Sequence, residues 1–344
     1  MPTTYQTPTT RGGRTRSASH RRQAEALALR TAGLPYSTIA QRLGYANPGA
    51  AAGAVRAAQQ RTGNAAVSMA RRTTSPMATA AMGQVPSNRT FGAECEFFGI
   101  TPQVAVQALA AAGITAVFEG YTHAVTRHWK IVTDASVNRT GTGTGGLELV
   151  SPVLRGANGL AELAKAVKAL AGAGARVDRT CGVHIHIGMD GLNGAQIMNV
   201  VDYYAANQSH INGLVARSRL SSGYCRPANQ MSRYTMQAIS QARQATNPTQ
   251  IRDAFRNGER YYSVNVTSYA KYGTLEFRQH QGSLNGKKLT NWVKFLLATV
   301  ENGLLHGATT HGSLAEMVGA LNLDAPTQGY LTSRAVSLAR SARP

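Results

Sequence analysis

The sequence predicts an α+β fold that is preceded by a small all-α unit. From Phe91 onward, short stretches of alternating apolar and polar residues are interleaved with helical patterns over residues 160–175 and 289–307. Alternation with period two is typical of half-buried strands, whereas apolar residues spaced three or four apart indicate helices. Before Phe91 the periodic segments are helical alone.

Changes in composition divide the chain further. The first residues are polar and rich in arginine, and residues 62–90 scatter Ala, Thr, Ser and Pro without periodicity. Such segments are typical of arms and linkers. We therefore expect a disordered basic arm (1–20), a helical domain (21–61), a linker (62–90), an α+β domain (91–324) and a loose basic tail (325–344).

Net charge indicates the kind of partner. The 344 residues hold 36 Lys and Arg against 16 Asp and Glu, which gives a formal charge of +20. Residues 1–90 contain twelve arginines and a single acid, Glu25, so this quarter of the chain carries more than half of the excess. A concentration of positive charge favours an anionic partner such as nucleic acid or nucleotide phosphates.

Three widely spaced cysteines, Cys95, Cys181 and Cys225, predict neither a disulfide framework nor a Cys-x-x-Cys metal site. The N-terminal sequence lacks the apolar core of a signal peptide, and no apolar run reaches the roughly 18 residues that a membrane-spanning helix needs. We expect a cytoplasmic protein without a membrane partner.

The basic N-terminal region predicts three short helices. The first ends near Gly33, Ser37 can cap the second, and Asn47 followed by Pro48 can begin the third. Apolar side chains at helical spacing would supply a modest core: Leu27, Leu34, Ile39, Leu43 and Val55. The stretch over residues 32–45 resembles the helix-turn-helix of many bacterial and phage proteins.

The third of these helices would present Arg56, Gln59, Gln60 and Arg61 outward, as a DNA-recognition helix requires. The positive charge of the region supports the same interpretation. Two alternatives stay open, a structural three-helix cap and a module that docks onto another protein.

Two acids interrupt the first strand pattern of the α+β region. Because side chains alternate, Glu94 and Glu96 point to one face while Ala93, Cys95 and Phe97 point to the other. Paired carboxylates repel each other unless a cation lies beside them, so they are candidate ligands of a divalent metal. The alternative is an exposed strand face that carries two solvated acids.

A second strand pattern holds His184 and His186 on one face, opposite Val183, Ile185 and Ile187. Imidazole is a common metal ligand and also donates hydrogen bonds to phosphate. Two half-buried histidines that pair with the backbone would give the same pattern.

A third strand pattern places Glu276, Arg278 and His280 opposite Leu275 and Phe277. Glu276 is a candidate metal ligand, and the planar guanidinium of Arg278 matches phosphate geometry. The alternative is a surface pair of Glu276 and Arg278, which would contribute little stability.

Glu148 likewise interrupts apolar residues, just after a Gly-rich segment at residues 141–146. Backbone amides of a Gly-rich loop can approach a phosphate, although flexible hairpin loops have the same composition. The segment favours a loop over a phosphate cradle.

These elements, in this order over residues 91–300, resemble the amidoligase family, which is related to glutamine synthetase and the other carboxylate-amine ligases. The resemblance rests on the following motifs: Glu94-x-Glu96, Trp129 with Asp134-x-Ser136, Glu148-Leu-Val-Ser-Pro152, Cys181-Gly-x-His184-x-His186, Tyr262-x-x-Val-Asn265, and Glu276-Phe-Arg278.

The resemblance implies a glutamine-synthetase-like antiparallel sheet with flanking helices, which binds ATP and Mg²⁺ or Mn²⁺. It implies that Glu94, His184 and Glu276 bind the metal that bridges the ATP phosphates. Glu96 and Glu148 would bind a second metal near the reacting carboxylate, where Glu148 also acts in catalysis.

Further roles are expected at the same site. Arg278 would hold the transferring phosphoryl group, and His186 would contact the nucleotide. Asp134 and Asn265 are candidate contacts for the substrate, although a metal-binding or structural role stays open for both.

The expected reaction joins a carboxylate and an amine, from amino-acid or peptide-like substrates, through an acyl phosphate. Two other classes of function remain. One is a DNA-binding factor with an inactive ligase-like domain. The other is a zinc hydrolase that uses His184 and His186, which the missing third ligand at helical spacing disfavours.

Overall fold

A computed structural model describes residues 11–31, 34–58, 82–120, 122, 124–137, 145–256 and 258–341. The chain divides into two compact units, Met1–Arg72 and Thr73–Pro344. In the described residues, no helix is long and apolar enough to cross a membrane.

The described residues of the first unit form three helical segments: α1 (Arg11–Thr31), α2 (Tyr36–Leu43) and α3 (residues 48–58). The prediction of a disordered arm over residues 1–20 is wrong from Arg11 onward, where α1 begins. Residues 11–20 contain three arginines and one alanine, which favour a helix, but also Gly12 and Gly13, which oppose it, so composition alone does not determine where α1 begins. Residues 1–10 lie outside the described residues.

A small core holds these three helices together. Ala26, Ile39 and Val55 are buried, and Leu27, Leu34 and Leu43 pack against them. The predicted cap at Ser37 is wrong, because α2 begins at Tyr36 and its N-cap is Pro35, two residues before the predicted cap. The predicted start of α3 is confirmed, since Oδ1 of Asn47 accepts a 2.8 Å hydrogen bond from the amide of Ala50.

The second unit is built on one sheet of eight strands in the order β2-β3-β4-β1-β6-β8-β7, with β5 paired to β1. All pairs are antiparallel except β2 with β3. The strands are β1 (Thr90–Phe97), β2 (Ala116–Gly120), β3 (Trp129–Thr133), β4 (Leu147–Val150), β5 (Leu154–Arg155), β6 (Gly182–Gly188), β7 (Val264–Asn265) and β8 (Thr274–Gln281).

Helices flank this sheet, so the predicted α+β class is confirmed. The helices are α4 (Pro102–Ala111), α5 (Gly156–Gly172), α6 (Gly194–Ala206), α7 (Gln208–Asn212), α8 (Arg217–Leu220), α9 (Arg233–Gln244), α10 (Pro248–Arg256), α11 (Thr267–Tyr272), α12 (Gly286–His306), α13 (Leu314–Ala320) and α14 (Ala325–Arg340).

The main core lies on one face of the sheet. Alternate strand residues such as Cys95, Ile185 and Phe277 are completely buried there, together with apolar residues of α5, α6 and α12. Because side chains alternate along a strand, the residues between them point to the opposite face. That face carries the predicted acids and histidines.

A bulge in β8 corrects one prediction. Ile185 pairs with Phe277 but Val183 pairs with His280, so β8 contains one residue more than its partner over this stretch. The extra residue turns His280 into the core, where its ring lies 5.1 Å from that of Trp292. His280 therefore does not share the face of Glu276 and Arg278, as strict alternation had predicted.

Both predicted ends of the second domain also need correction. The last residues of the expected linker are held in place, because Ser87 and Arg89 both contact Oε1 of Glu301, at 2.5 and 3.0 Å. The amide of Gln84 donates to Asp324 at 3.0 Å. Residues 62–81 of the expected linker lie outside the described residues.

The expected loose tail instead contains helix α14. Asp324 caps its first turn, Leu331 is buried, and Arg334 donates a 2.7 Å hydrogen bond to the carbonyl of Leu214. Leu331 and Arg334 lie three residues apart on one face of the helix and both contact the domain, whereas Arg340 is exposed.

Candidate active site

The polar face of the sheet gathers the acids and histidines of four strands. Glu148 lies on β4, Glu94 and Glu96 on β1, His184 and His186 on β6, and Glu276 on β8. We call these six residues the acidic floor. They meet because neighbouring strands place directly opposed side chains about 4.5–5.5 Å apart at Cβ.

Glu96 and Glu148 are directly opposed across β1 and β4. The Glu96 side chain is almost fully buried, and its Oε2 accepts a 2.6 Å hydrogen bond from the amide of Gly182. This bond fixes one oxygen and leaves Oε1 to face the site, 3.5 Å from Nε2 of His184.

His184 lies at the centre of the floor. It is opposed to Glu94 in the register of β1 and β6. Its Nδ1 lies 3.2 Å from Oε2 of Glu94 and 3.4 Å from Oε1 of Glu276. The imidazole thus joins carboxylates from two different strands.

His186, Glu276 and Asn265 form the next row across β6, β8 and β7. Asn265 donates a 2.6 Å hydrogen bond to Oε2 of Glu276 and accepts bonds from the amide and hydroxyl of Thr267. Arg278 pairs with Oε1 of Glu276 and also donates to the carbonyl of Tyr224. Both oxygens of Glu276 are therefore held in fixed positions.

The floor has strongly perturbed electrostatics. Burial raises the pKa of Glu148 well above its usual range, and the charges of Glu94 and Glu96 raise it further. Burial also acts to raise the pKa of Glu94, but His186 and the hydrogen bonds from both histidines outweigh it and lower this pKa well below the usual range. Closely spaced acids with opposite shifts are typical of functional sites.

The pKa values of Glu276 and His186 are likewise set by burial and by opposing effects of neighbouring charges. Burial opposes ionisation of Glu276, yet the charges of Arg278 and His186 lower its pKa. Burial acts to lower the pKa of His186, but Glu94 raises it above the usual value. The lowered pKa values favour the ionised forms of Glu94 and Glu276, and the raised pKa of His186 favours its protonated form beside them.

The donor set fits divalent cations. Three overlapping groups have ligand atoms within 4.8 Å of one another: Glu94 with Glu148 and His184, Glu94 with His186 and Glu276, and Glu96 with Asp134 and Glu148. The buried Nε2 of His186 lies 3.4 Å from Oε1 of Glu94. Oxygen-rich groups of this kind suit Mg²⁺ and Mn²⁺.

Asp134, which was predicted to contact the substrate, also has structural contacts within its own loop. Oδ1 of Asp134 accepts hydrogen bonds of 2.7 Å from both the amide and the hydroxyl of Ser136. Gly146, the last residue of the Gly-rich segment, packs so closely that a Cβ would lie 2.3 Å from the carbonyl oxygen of Asp134. Residues 138–144 of that loop lie outside the described residues.

Two cavities open from the floor and share Glu94 and Glu148. They extend toward opposite ends of β1, since one is lined by Thr90 to Ala93 and the other by Glu96. The second, of about 260 Å³, we call the arginine lobe; its lining includes Arg219, Arg260, Arg278, Tyr224 and Tyr261.

Sequence reasoning missed four of these five residues. Arg219 lies on the short α8 and donates to the backbone carbonyl of Arg278, and its buried Nε has no partner. Arg260, Tyr224 and Tyr261 lie outside regular strands, where no periodic pattern marks a side chain as facing the site. The rings of Tyr224 and Tyr261 are 5.6 Å apart in an edge-to-face contact.

The predicted recognition residues can be placed only in part. Arg56 is exposed on α3, whereas Gln59, Gln60 and Arg61 lie outside the described residues. Arg21, Arg30 and Arg42 are also exposed in this unit.

Several solved structures are similar to this chain at 11–13% identity. They include a bifunctional glutathione synthetase from Pasteurella multocida (12% identity, 77% of this chain, 49% of that chain, TM-score 0.37), a novel glutamine synthase homolog (11%, 80%, 70%, TM-score 0.37) and a GmaS/ADP complex (13%, 77%, 71%, TM-score 0.35). The chain spans about half the length of the glutathione synthetase. No curated protein matches the sequence.

A family model described as "Putative amidoligase enzyme" matches residues 87–300. This range is more than half of the chain and includes every residue of the acidic floor and of the arginine lobe. The chain belongs to the amidoligase family.

Proposed function

We propose that the protein is an ATP-dependent ligase that joins a carboxylate to an amine. The observation that supports this proposal most directly is the acidic floor, in which four carboxylates and two histidines form three overlapping groups of possible metal ligands beside a buried arginine, Arg278. Membership of the amidoligase family supports the same class of reaction.

In this reaction a carboxylate oxygen of the acid attacks the γ-phosphorus of ATP. The bond from that phosphorus to the bridging oxygen breaks, giving ADP and an acyl phosphate. The amine nitrogen then attacks the acyl carbon, phosphate leaves with the electrons of the C–O bond, and the nitrogen loses a proton. Bound Mg²⁺ or Mn²⁺ would neutralise phosphate charge during the transfer.

The residues of the floor have separate proposed roles. Glu94, His184 and Glu276 would hold one divalent ion, and Glu96 and Glu148 would hold a second; both ions would supply positive charge for the phosphoryl transfer. This division agrees with the register, because the first set spans β1, β6 and β8 and the second spans β1 and β4.

We propose more specific roles for three neighbouring residues than the sequence predicted. His186 lies with Glu94 and Glu276 in one group of possible metal ligands, and its Nε2 is directed at Glu94, so we assign it to the metal group rather than to direct nucleotide contact. Asn265 acts through Glu276, which it orients. Asp134 is placed to support the group of Glu96 and Glu148.

Arg278 is proposed to hold the transferring phosphoryl group. It is anchored by Glu276 and by the carbonyl of Tyr224, and it faces the arginine lobe together with Arg219 and Arg260. Three guanidinium groups beside a metal site suit a polyphosphate, since guanidinium pairs with phosphate oxygens in a bidentate manner. We therefore assign the nucleotide to the arginine lobe.

The test is incubation of the protein with ATP, magnesium and a mixture of amino acids, amines and peptides, with ADP release and new amide masses as readouts. We expect ADP release that requires both an acid and an amine, and one new amide. ATP that stays intact with every mixture would favour the alternative, a DNA-binding factor whose ligase-like domain is inactive. Activity that depends on zinc and cleaves amides would indicate a hydrolase.

We further propose that the first unit binds nucleic acid. The observation that favours this is charge: five arginines are exposed on its described helices against one exposed acid, Glu25, and Arg56 lies on α3, where a recognition helix was expected. Two of the others stack on tyrosines of the same unit, Arg22 over Tyr45 and Arg30 over Tyr36. Salt-dependent binding to duplex DNA tests the proposal.

A further inference from the structure

The cavity at the other end of β1 differs in character from the arginine lobe. It has a volume of about 240 Å³ and shares Glu94 and Glu148 with that lobe. Its walls include Val125, Val150, Pro152, Val153 and Tyr272, and its one lysine or arginine among the described residues is Lys130. We call this cavity the apolar lobe.

The mouth of the apolar lobe exposes hydrophobic side chains. Val125 and Val153 are 65% and 62% exposed, more than most large apolar residues on the described surface of the second unit. An apolar ligand that covered them would remove this surface from water, at a gain of about 25 cal/mol for each Å². Concave, mainly apolar cavities with a few polar groups are typical ligand sites.

Lys130 is the one lysine or arginine that lines this lobe among the described residues, and the lining also includes the carboxylates of Glu94, Glu148 and Asp190. Only 2% of the residue is exposed, and its Nζ donates a 2.6 Å hydrogen bond to the carbonyl of Ala124. Among the described residues, no carboxylate lies within ion-pairing distance of that ammonium group. A buried charge without a counter-charge is costly, and an anion in the cavity would offset that cost.

The position of Lys130 connects it to the floor. It is opposed to Val150 on β4, and Val150 is opposed to Glu94 on β1, so the three residues form one row across the sheet. An anion at Nζ of Lys130 would lie in the same cavity as Glu94 and Glu148. An acid bound there would lie beside Glu94 and Glu148, which this lobe shares with the arginine lobe.

We propose that the apolar lobe is the acyl-substrate site, and that it selects a carboxylic acid with an apolar chain whose carboxylate pairs with Lys130. The proposal rests on the ligase function proposed above and adds the class of acid. The apolar chain would lie along Val150 and Val153, with the carboxylate between Lys130 and the floor. The alternative is a purely structural role, in which Lys130 only holds the carbonyl of Ala124 in place.

The first experiment measures binding by calorimetry in the presence of magnesium, with butanoate, hexanoate and neutral hexanamide as probes. We expect the dissociation constant to fall about fourfold for each added methylene, as burial of about 0.8 kcal/mol per methylene requires. Hexanamide should bind at least tenfold more weakly than hexanoate. Equal affinity for all three probes, or competition between hexanoate and ADP, would overturn the proposal.

Two variants test separately the contributions of the Lys130 charge and of the apolar wall to hexanoate binding. Lys130→Met keeps the aliphatic stem and should remove the preference for hexanoate over hexanamide, whereas Lys168→Met, at an exposed lysine of α5, should not. Val153→Glu should weaken hexanoate binding at least tenfold, and Val336→Glu, at an exposed valine of α14, should leave it unchanged. If Lys130→Met does not fold, the comparison of hexanoate with hexanamide in the natural protein still decides the role of charge.

A second experiment separates this proposal from the ligase function. Hydroxylamine replaces the unknown amine, so that any acid activated with ATP gives a hydroxamate, ADP and phosphate. We expect hexanoate to give more hydroxamate than acetate or glutamate. Hydroxamate formed best from glutamate would refute the apolar acid and keep the ligase, whereas the expected binding pattern without any hydroxamate would keep the site and refute the ligase.

Discussion

Glu96 and Glu148 lie directly opposite each other on β1 and β4, with both carboxylates on the polar face of the sheet. Like charges in this position destabilise a sheet, and the pKa of Glu148 is raised because it is buried and near Glu94 and Glu96. A divalent cation bound between these two carboxylates would replace their mutual repulsion with attraction to the ion. This relationship is the physical basis of the proposed metal site, and it leads to the first two predictions.

Replacement of metal ligands should abolish turnover without unfolding the protein. We expect Glu94→Ala, Glu96→Ala and Glu276→Gln each to lower the rate of ADP formation at least about a hundredfold, beyond the roughly 10- to 100-fold losses seen for residues that only support a ligand. Circular dichroism should show unchanged secondary structure. Glu162→Gln, at an acid of α5 that bonds to Trp129 away from the floor, is the matched control. Activity within twofold of the natural protein in all three variants would refute the metal assignment.

Magnesium affinity should depend on pH through Glu148. A carboxylate binds metal only when it is deprotonated, and the pKa of Glu148 is raised first by burial and then by Glu94 and Glu96. Affinity should therefore rise with pH until Glu148 has lost its proton, and then level off. In Glu96→Gln one of the charges that raises this pKa is gone, so the midpoint of the curve should move to lower pH. Magnesium titrations across a pH series measure both midpoints, and identical midpoints would contradict the coupling.

Arg278→Lys should separate transition-state stabilisation from nucleotide binding. Lysine keeps the charge but lacks the planar fork that pairs with two oxygens. If Arg278 holds the transferring phosphoryl group, kcat and kcat/KM for ATP should fall together, with little change in ADP affinity. A normal kcat with a raised KM would show that the residue only binds nucleotide. Unchanged kcat and KM would show that Arg278 has only a structural role, as an ion pair with Glu276.

Removal of residues 1–72 should leave ligase activity intact and abolish salt-sensitive DNA binding. A deletion that extended to Gln84, Ser87 or Arg89 would remove contacts within the second unit, with Asp324 and Glu301. In the full chain, the logarithm of the binding constant should fall linearly with the logarithm of salt concentration, with a slope of about −0.9 per phosphate contact. DNA binding that survives the deletion would assign the interaction to the second unit.

Helix α14 should contribute to stability although its composition predicted a loose tail. Leu331 is 1% exposed, so Leu331→Ala should lower the free energy of unfolding by about 2–5 kcal/mol. Val336→Ala, at a half-exposed position of the same helix, should change it by less than about 0.5 kcal/mol. Thermal unfolding of both variants provides the measurement, and equal melting temperatures would show that α14 is not part of the cooperative unit.

The sequence alone determined the α+β class and the strand faces of the floor. A period of two fixes which side chains share a face, so Glu94 with Glu96, and His184 with His186, could be assigned before any strand was paired. The pattern failed at His280, because a bulge adds one residue to β8 and local alternation cannot reveal it.

The tertiary structure decided which faces meet and what surrounds them. Strand order placed Glu96 against Glu148 and Glu94 against His184, pairs that are 52 and 90 residues apart in the chain and that only hydrogen-bonded register brings together. The tertiary structure also places Arg219, Arg260 and Lys130 at the cavities, since α8, a loop and β3 converge there from separate parts of the sequence. Periodicity is a local property of a strand or helix, whereas a site depends on long-range pairing. The sequence pattern therefore predicts which residues share a face, but only the tertiary structure decides which faces meet.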